Sequence, residues 1–178
     1  NAKLVTNTAE RLKPEDIVDR MSKSLGAGCL GSRIVRRAEG RRKREAIQIW
    51  LTLEKDHIVK ALEHLAEIDF PHLSVISGCD LQEAVELNYH FYIYYGDLHG
   101  EYSVTFKTLL PKADLTVETI TGIIPGALTS EREKQEFFGI TVKRIPDGRG
   151  MFLPDDFPAG VYPWRKDSSG IPDSMIKQ

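Results

Sequence analysis

Thiols and long apolar runs are scarce in this chain of 178 residues, which has only Cys29 and Cys79. Two thiols cannot hold a four-thiolate iron–sulfur cluster, and they cannot make a structural zinc site without other ligands. Two lone cysteines predict reduced, unpaired thiols. No stretch reaches the roughly 18 uninterrupted apolar residues of a membrane-spanning helix. Asn1–Lys13 is polar and does not read as a secretory signal. The histidines, His57, His64, His72, His90 and His99, include no H-x-x-x-H pair and no Cys/His zinc spacing. There is no G-x-S-x-G elbow for a serine nucleophile. An excess of positive charge is also missing: 24 Lys+Arg face 26 Asp+Glu, a net charge of −2. That excludes a protein that coats nucleic acid with its whole surface.

The chain does have material for a core, with 41% hydrophobic residues and an ordinary 28% charged. One compact domain with an extended tail is predicted. The charge is uneven. Arg33, Arg36, Arg37, Arg41, Arg42, Lys43 and Arg44 stand against Glu39 alone, a local +6 that leaves −8 elsewhere.

Periodicity gives the elements. Pro14–Leu25 reads as a helix, with proline in its first turn, Ile17, Met21 and Leu25 on one face, and Gly26 as its stop. Ile34–Arg37 and Ala46–Leu53 read as strands with the basic run in the turn between them. Asp56 is placed to cap a helix through Ile68 with the stripe Ile58, Ala61, Leu62, Leu65 and Ile68. Leu73–Ser77, Glu86–Tyr95 and Tyr102–Leu110 read as strands, the last two as a hairpin through Gly96–Gly100. The order α-β-β-α-β-β-β predicts an α+β two-layer fold: a mainly antiparallel sheet with helices on one face. Thr116 is placed to cap a short helix through Ile124. Ser130-Glu131-Arg132-Glu133 has capping-box spacing before a helix ending at Gly139. Pro146, Gly148, Gly150, Pro154, Pro158, Gly160 and Pro163 predict an extended C-terminal arm. The expected division is an α/β domain over 1–140 and an arm and tail over 141–178.

Gly26-Ala27-Gly28-Cys29-Leu30-Gly31 matches G-x-G-x-x-G. A dinucleotide site needs a strand before that motif and a helix after it, and here the order is reversed. A helix stop and turn is the plainer reading; a nucleotide-binding enzyme is the functional alternative. The basic run 33–44 reads as a solvated hairpin tip, with a lipid- or RNA-binding module as its alternative, although no aromatics interleave it for base stacking. His90, Tyr92 and Tyr94, opposite the core stripe of their strand, suit an interface. The strongest signal lies near the C-terminus: Glu131-Arg132-Glu133-Lys134-Gln135-Glu136-Phe137-Phe138-Gly139-Ile140, then an arm with Met151, Phe152, Phe157, Tyr162, Pro163, Trp164, Arg165, Lys166 and Asp167. A proline-stiffened arm with Phe, Tyr, Trp and Arg carries the residues that dominate binding hot spots.

At these residues the chain resembles the 30-kDa subunit family of respiratory complex I, including the related subunits of membrane-bound nickel–iron hydrogenases. The family pattern is roughly E-R-E-x-x-D-M-F-G-I, then P-L-R-K-D. Glu131, Arg132 and Glu133 match the first three positions. Glu136 stands for Asp and Phe137 for Met, and Phe138-Gly139-Ile140 matches the rest. Pro163, Arg165, Lys166 and Asp167 match the second motif, with Trp164 for Leu. Thr129 stands where members usually have Trp, and Ile145-Pro146 where they have His-Pro. The resemblance implies a non-catalytic structural subunit in the hydrophilic arm of a membrane-bound, ion-pumping oxidoreductase of hydrogenase or quinone type. It implies no cofactor in this chain. Iron–sulfur clusters, and a nickel–iron centre in hydrogenase-type members, would sit in partner subunits. The implied partners are the large catalytic-type subunit and the iron–sulfur small subunit, with the membrane arm contacted indirectly and no nucleic acid. The implied place is the cytoplasmic face of the cell membrane, held there by the complex. The expected interface residues are Glu131, Arg132, Glu133, Phe137, Phe138, Phe152, Phe157, Tyr162, Pro163, Trp164, Arg165, Lys166 and Asp167.

Overall fold

A computed structural model describes residues 11–41, 44–97 and 100–176. Arg42, Lys43 and His99, which belong to the sequence readings above, lie outside the described residues. Helix α1 (Pro14–Leu25) opens on its proline and buries Ile17, Met21 and Leu25; Gly26 ends it at φ +54°, donating its N–H to the Ser22 carbonyl. Strands β1 (Cys29–Glu39) and β2 (Arg44–Leu53) follow as an antiparallel pair. Helix α2 (Ile58–Ile68) buries the predicted stripe. Strands β3 (His72–Asp80), β4 (Ala84–Ile93) and β5 (Tyr102–Pro111) form a meander. The five-stranded order is β1-β2-β5-β4-β3, which leaves β1 and β3 as edges. All pairs are antiparallel except β2 with β5. That parallel pair is possible because α2, β3 and β4 make the long return between its members.

The α+β expectation therefore holds. Alternation puts Ile47, Ile49, Leu51 and Leu53 of β2, Val85, Leu87, Tyr89, Phe91 and Ile93 of β4, and Val104, Phe106 and Leu110 of β5 on one face, where all are buried with the helix stripes. Helix α3 (Leu128–Phe138) joins this face near β3, because a Cβ on Gly78 would lie 2.6 Å from the Phe138 ring.

Several local readings are corrected. The basic run is not confined to a turn, since Arg33, Arg36 and Arg37 lie within β1. Asp56 does not cap α2. A 3-10 turn over Lys55–His57 leads in, and the Lys55 ammonium instead bonds Asp114 (2.6 Å) and the Thr116 hydroxyl (2.9 Å). Thr116 does not start a helix. Thr116–Glu118 is strand β6, parallel to β7 (Thr141–Lys143), as suits a segment rich in β-branched residues. Pro125 does not stop a helix but opens a 3-10 turn that runs into α3 at Leu128. Ser130 therefore sits inside α3, and the capping box is not formed. β4 ends at Ile93, two residues before the predicted end of that strand, and Tyr95 lies beyond it, exposed.

Candidate docking site

The two motifs near the C-terminus meet each other, and α3 is where they meet. Arg132 and Glu136, one turn apart, face the arm together. Arg132 donates from Nε to the Arg149 carbonyl (2.8 Å) and from Nη2 to the Gly150 carbonyl (3.0 Å). The Glu136 carboxylate accepts the amides of Met151 (2.8 Å), Phe152 (2.8 Å) and Leu153 (3.3 Å). A segment that makes no helix or strand thus has its backbone polar groups satisfied by side chains.

Beyond this clamp the chain returns over the end of α3. The Trp164 amide donates to the Phe137 carbonyl (3.0 Å). Its indole stacks on Phe137 at 4.4 Å between centroids and meets Phe138 edge-on at 5.3 Å. Phe152 closes the cluster against Phe137 at 5.7 Å. Gly139, at φ +71°, lets the helix end and the Tyr162 ring approach; a Cβ there would lie 2.6 Å from that ring.

A charge network anchors the second motif. Asp80, fully buried at the end of β3, accepts the Lys166 amide (2.6 Å) and pairs with the Lys112 ammonium (2.9 Å). Arg165 Nε lies 3.6 Å from Asp80 and 3.1 Å from Asp167, and Nη1 donates to the Phe138 carbonyl (3.2 Å). Lys112 also reaches Asp167 (2.7 Å). The Arg165 guanidinium, then the Lys112 ammonium, hold the Asp167 carboxyl well below the usual carboxylate range.

Glu131 points away from all this. It is buried and accepts the Thr119 hydroxyl (2.6 Å) and the Ile120 amide (2.7 Å). Burial pushes its pKa up, and those two bonds oppose the shift. Glu133 does not reach back along the helix; it pairs with the buried ammonium of Lys134, which lies 4.8 Å from the Trp164 ring centroid.

Of the predicted interface residues, Arg132, Phe137, Phe138, Tyr162, Trp164, Arg165 and Asp167 contact one another's elements. Phe157 and Pro163 are half-buried in the arm, and Lys166 is exposed. Apolar groups also face outward: Phe152 is 43% and Trp164 41% exposed, with Met151 at 44% and, on β3, Val75 at 42% beside them. Beside Trp164 a hollow of about 580 Å³ opens between Val75, Gly78, Lys134, Phe138 and Pro163. Sequence reasoning missed Asp80 and Lys112, which lie far from either motif. It also missed Glu136 as the clamp, although a carboxylate one turn after Arg132 is the signal that could have found it.

The G-x-G-x-x-G run has no helix after it. A 3-10 turn at Gly26–Gly28 leads into β1, so the run presents no helix N-terminus to a pyrophosphate. Both cysteines are free. Among the described residues no three His, Cys, Asp or Glu side chains are grouped to hold a metal, and no helix is long and apolar enough to cross a membrane.

The family model described as the respiratory-chain NADH dehydrogenase, 30 Kd subunit, matches residues 51–173. The chain is 30% identical over 132 residues to the beta subunit of the membrane-bound hydrogenase of Pyrococcus furiosus, covering 73% of this chain and 75% of that one. It is 31% identical over 132 residues to the C subunit of the F(420)H(2) dehydrogenase of Methanosarcina mazei, covering 74% and 82%. Its fold is similar to that of a chain in the membrane-bound sulfane sulfur reductase, an archaeal respiratory membrane complex, with a TM-score of 0.66 at 24% identity over 87% of this chain and 85% of that one.

Proposed function

Since the chain belongs to the family of the respiratory-chain NADH dehydrogenase 30 Kd subunit, we propose that it is a structural subunit of a membrane-bound oxidoreductase complex of the hydrogenase type. It performs no chemistry itself. It lies in the hydrophilic arm at the cytoplasmic face of the membrane, packed against the large catalytic-type subunit and the small iron–sulfur subunit. Redox centres reside in those partners. Relatives named as subunits of a membrane-bound hydrogenase and of an F(420)H(2) dehydrogenase support this reading.

The observation that carries the docking role is Trp164. Its indole is fixed between Phe137 and Phe138 by rings 4.4 and 5.3 Å away and by a backbone hydrogen bond, yet it remains 41% exposed. Phe152 and Met151 extend the same apolar ridge. An aromatic group ordered before binding loses little entropy on docking, the usual character of a hot spot. Arg165 and Asp167 of the arm, with Arg132 and Glu136 of α3, are spent on this chain: they hold the ridge in shape, and the ridge meets the partner. Glu131, Arg132 and Glu133 accordingly organise the interface from behind.

Co-expression with a hydrogenase-type large subunit tests this. Trp164→Ala with Phe152→Ala should reduce recovery of the large subunit at least about tenfold while the free chain still melts cooperatively. Undiminished recovery would remove the ridge as the docking surface.

A further inference from the structure

The glycines of the G-x-G-x-x-G run do not share one explanation. Gly26 sits at φ +54°, and a Cβ on Gly28 would lie 2.2 Å from the His57 ring. Gly31 has neither reason. Its φ lies outside the left-handed region, and a Cβ built there meets nothing within 4 Å. The ladder is irregular between Cys29 and Gly31, but with that φ the irregularity does not require glycine. A glycine inside a strand weakens it and commonly marks the close approach of another backbone. No other part of the described chain makes that approach.

Gly31 lies on the sheet face opposite the buried helix stripes, which no helix among the described residues covers. Alternation and register put Arg33, Trp50, Thr105 and His90 in one row across this face. The row is pre-ordered. His90 shares hydrogen bonds with Ser77 (2.9 Å) and Thr105 (3.2 Å), Trp50 meets His90 edge-on at 6.2 Å, and the Arg33 guanidinium lies 5.4 Å from the Trp50 ring centroid. A hollow of about 410 Å³ opens between Gly31, Arg33, Trp50, Thr52, Asn88 and Lys107. Two buried atoms at this hollow, Trp50 Nε1 and Asn88 Oδ1, have no hydrogen-bond partner among the described residues. Nearby cations are already paired: Lys107 with Glu86, and Arg36, on the opposite face, with Glu15 and Glu45. Arg33 makes no ion pair among the described residues.

We infer that this face is a second docking surface, and that its occupant is an extended, carboxylate-bearing segment of a partner subunit. The inference rests on the reading of the chain as a subunit of a complex. The partner's backbone passes over Gly31, where a side chain would hold it off. Its carboxylate pairs with the Arg33 guanidinium, which turns from the indole and uncovers Nε1 for a backbone carbonyl. Charge complementarity favours an acidic segment, because alternation and register put Arg33 and Arg37 of β1 on this face. The duty of edge-strand cations to repel other sheets accounts for arginines on β1 but not for a bare glycine and a hollow beside them.

The test uses the assembled complex carrying Arg33→Lys, treated with a carbodiimide that joins amines to touching carboxylates. The expected product links position 33 to an Asp or Glu of another subunit. In parallel, Gly31→Val should leave the melting temperature of the free full-length chain within about 2 °C and lower recovery of the complex at least about tenfold. An intact complex with no intersubunit link at position 33 and normal recovery of Gly31→Val overturns the inference and leaves the subunit reading standing. Failure of the wild-type chain to enter any complex overturns both. Sedimentation with phosphatidylglycerol vesicles that Arg33→Glu abolishes, without an intersubunit link, assigns the face to a lipid headgroup and also overturns it.

Discussion

Replacing Arg165 with alanine separates two roles for the arm, because the side chain is spent on its own chain. It is 8% exposed and faces Asp80, whose side chain is fully buried. The change removes the bond to the Phe138 carbonyl at 3.2 Å and the bonds to Asp167. A hydrogen bond to a charged group contributes about 1.5–3 kcal/mol, and removing one partner of a buried ion pair costs about 3–5 kcal/mol. Asp80 keeps the Lys112 ammonium and the Lys166 amide, and Asp167 is partly open to water. The lower part of the range therefore applies, about 2–3 kcal/mol, or about 5–10 °C in melting temperature for a chain of this size. The assay is thermal unfolding of the isolated full chain followed by circular dichroism. The pH dependence adds a second readout. The folded pKa of Asp167 is depressed, so its stabilisation is complete above the ordinary value near about 3.9 and is lost as pH falls through the folded value. The gap between wild type and Arg165→Ala should stay constant from pH 7 to about pH 4 and narrow below. A melting temperature unchanged within about 1 °C, with selective loosening of the complex, would refute this anchoring role and make Arg165 a direct partner contact.

Glu131→Gln should preserve the amide contact with Ile120 and flatten the pH dependence of stability. Burial raises the folded pKa, so the wild-type group stabilises most below about pH 4.3 and less as pH rises through the folded value; melting curves of both proteins at a series of pH values check this. Glu131→Ala should cost about 2 kcal/mol by orphaning the buried Ile120 amide and removing the bond from the Thr119 hydroxyl, which keeps its contact with the Thr121 hydroxyl, read by denaturant unfolding. Glu136→Ala frees three amides of the arm, so limited proteolysis should cut near 148–153 faster than in wild type, with fragment masses locating the site. Gly139→Ala adds both a strained φ and a collision with Tyr162, and should destabilise by about 1–3 kcal/mol in the same unfolding assay.

Elements with a buried face were legible in the sequence because burial imposes a period. The stripes of α1 and α2 and the alternation of β2, β4 and β5 needed no knowledge of partners. The parallel pairing of β2 with β5 was not legible, since it depends on which edge a returning strand selects. β6 was misread because Thr116 suits a cap as well as a strand, and only pairing with Thr141–Lys143 decides between them. The capping box failed for the same reason: its spacing is local, but the helix began two residues earlier at Leu128. Both C-terminal motifs were visible as residues, and Arg165 and Asp167 were named. That Arg165 closes on Asp80, far away in sequence, was beyond any local pattern. That adjacent Glu131 and Arg132 point in different directions follows from helix geometry alone, but which of the two turns inward was hidden until the surroundings of α3 were fixed.

The most direct test of the central claim is the size and composition of the particle that holds this chain in native membranes. The tagged full-length protein, isolated under mild detergent without reducing agent, is run on a native gel, and its subunits are identified by mass spectrometry. The account predicts a large particle with a hydrogenase-type large subunit and an iron–sulfur small subunit in equal amounts, lost when Trp164 and Phe152 are both replaced by alanine. Migration as a free 20.1 kDa chain with neither subunit present would contradict it.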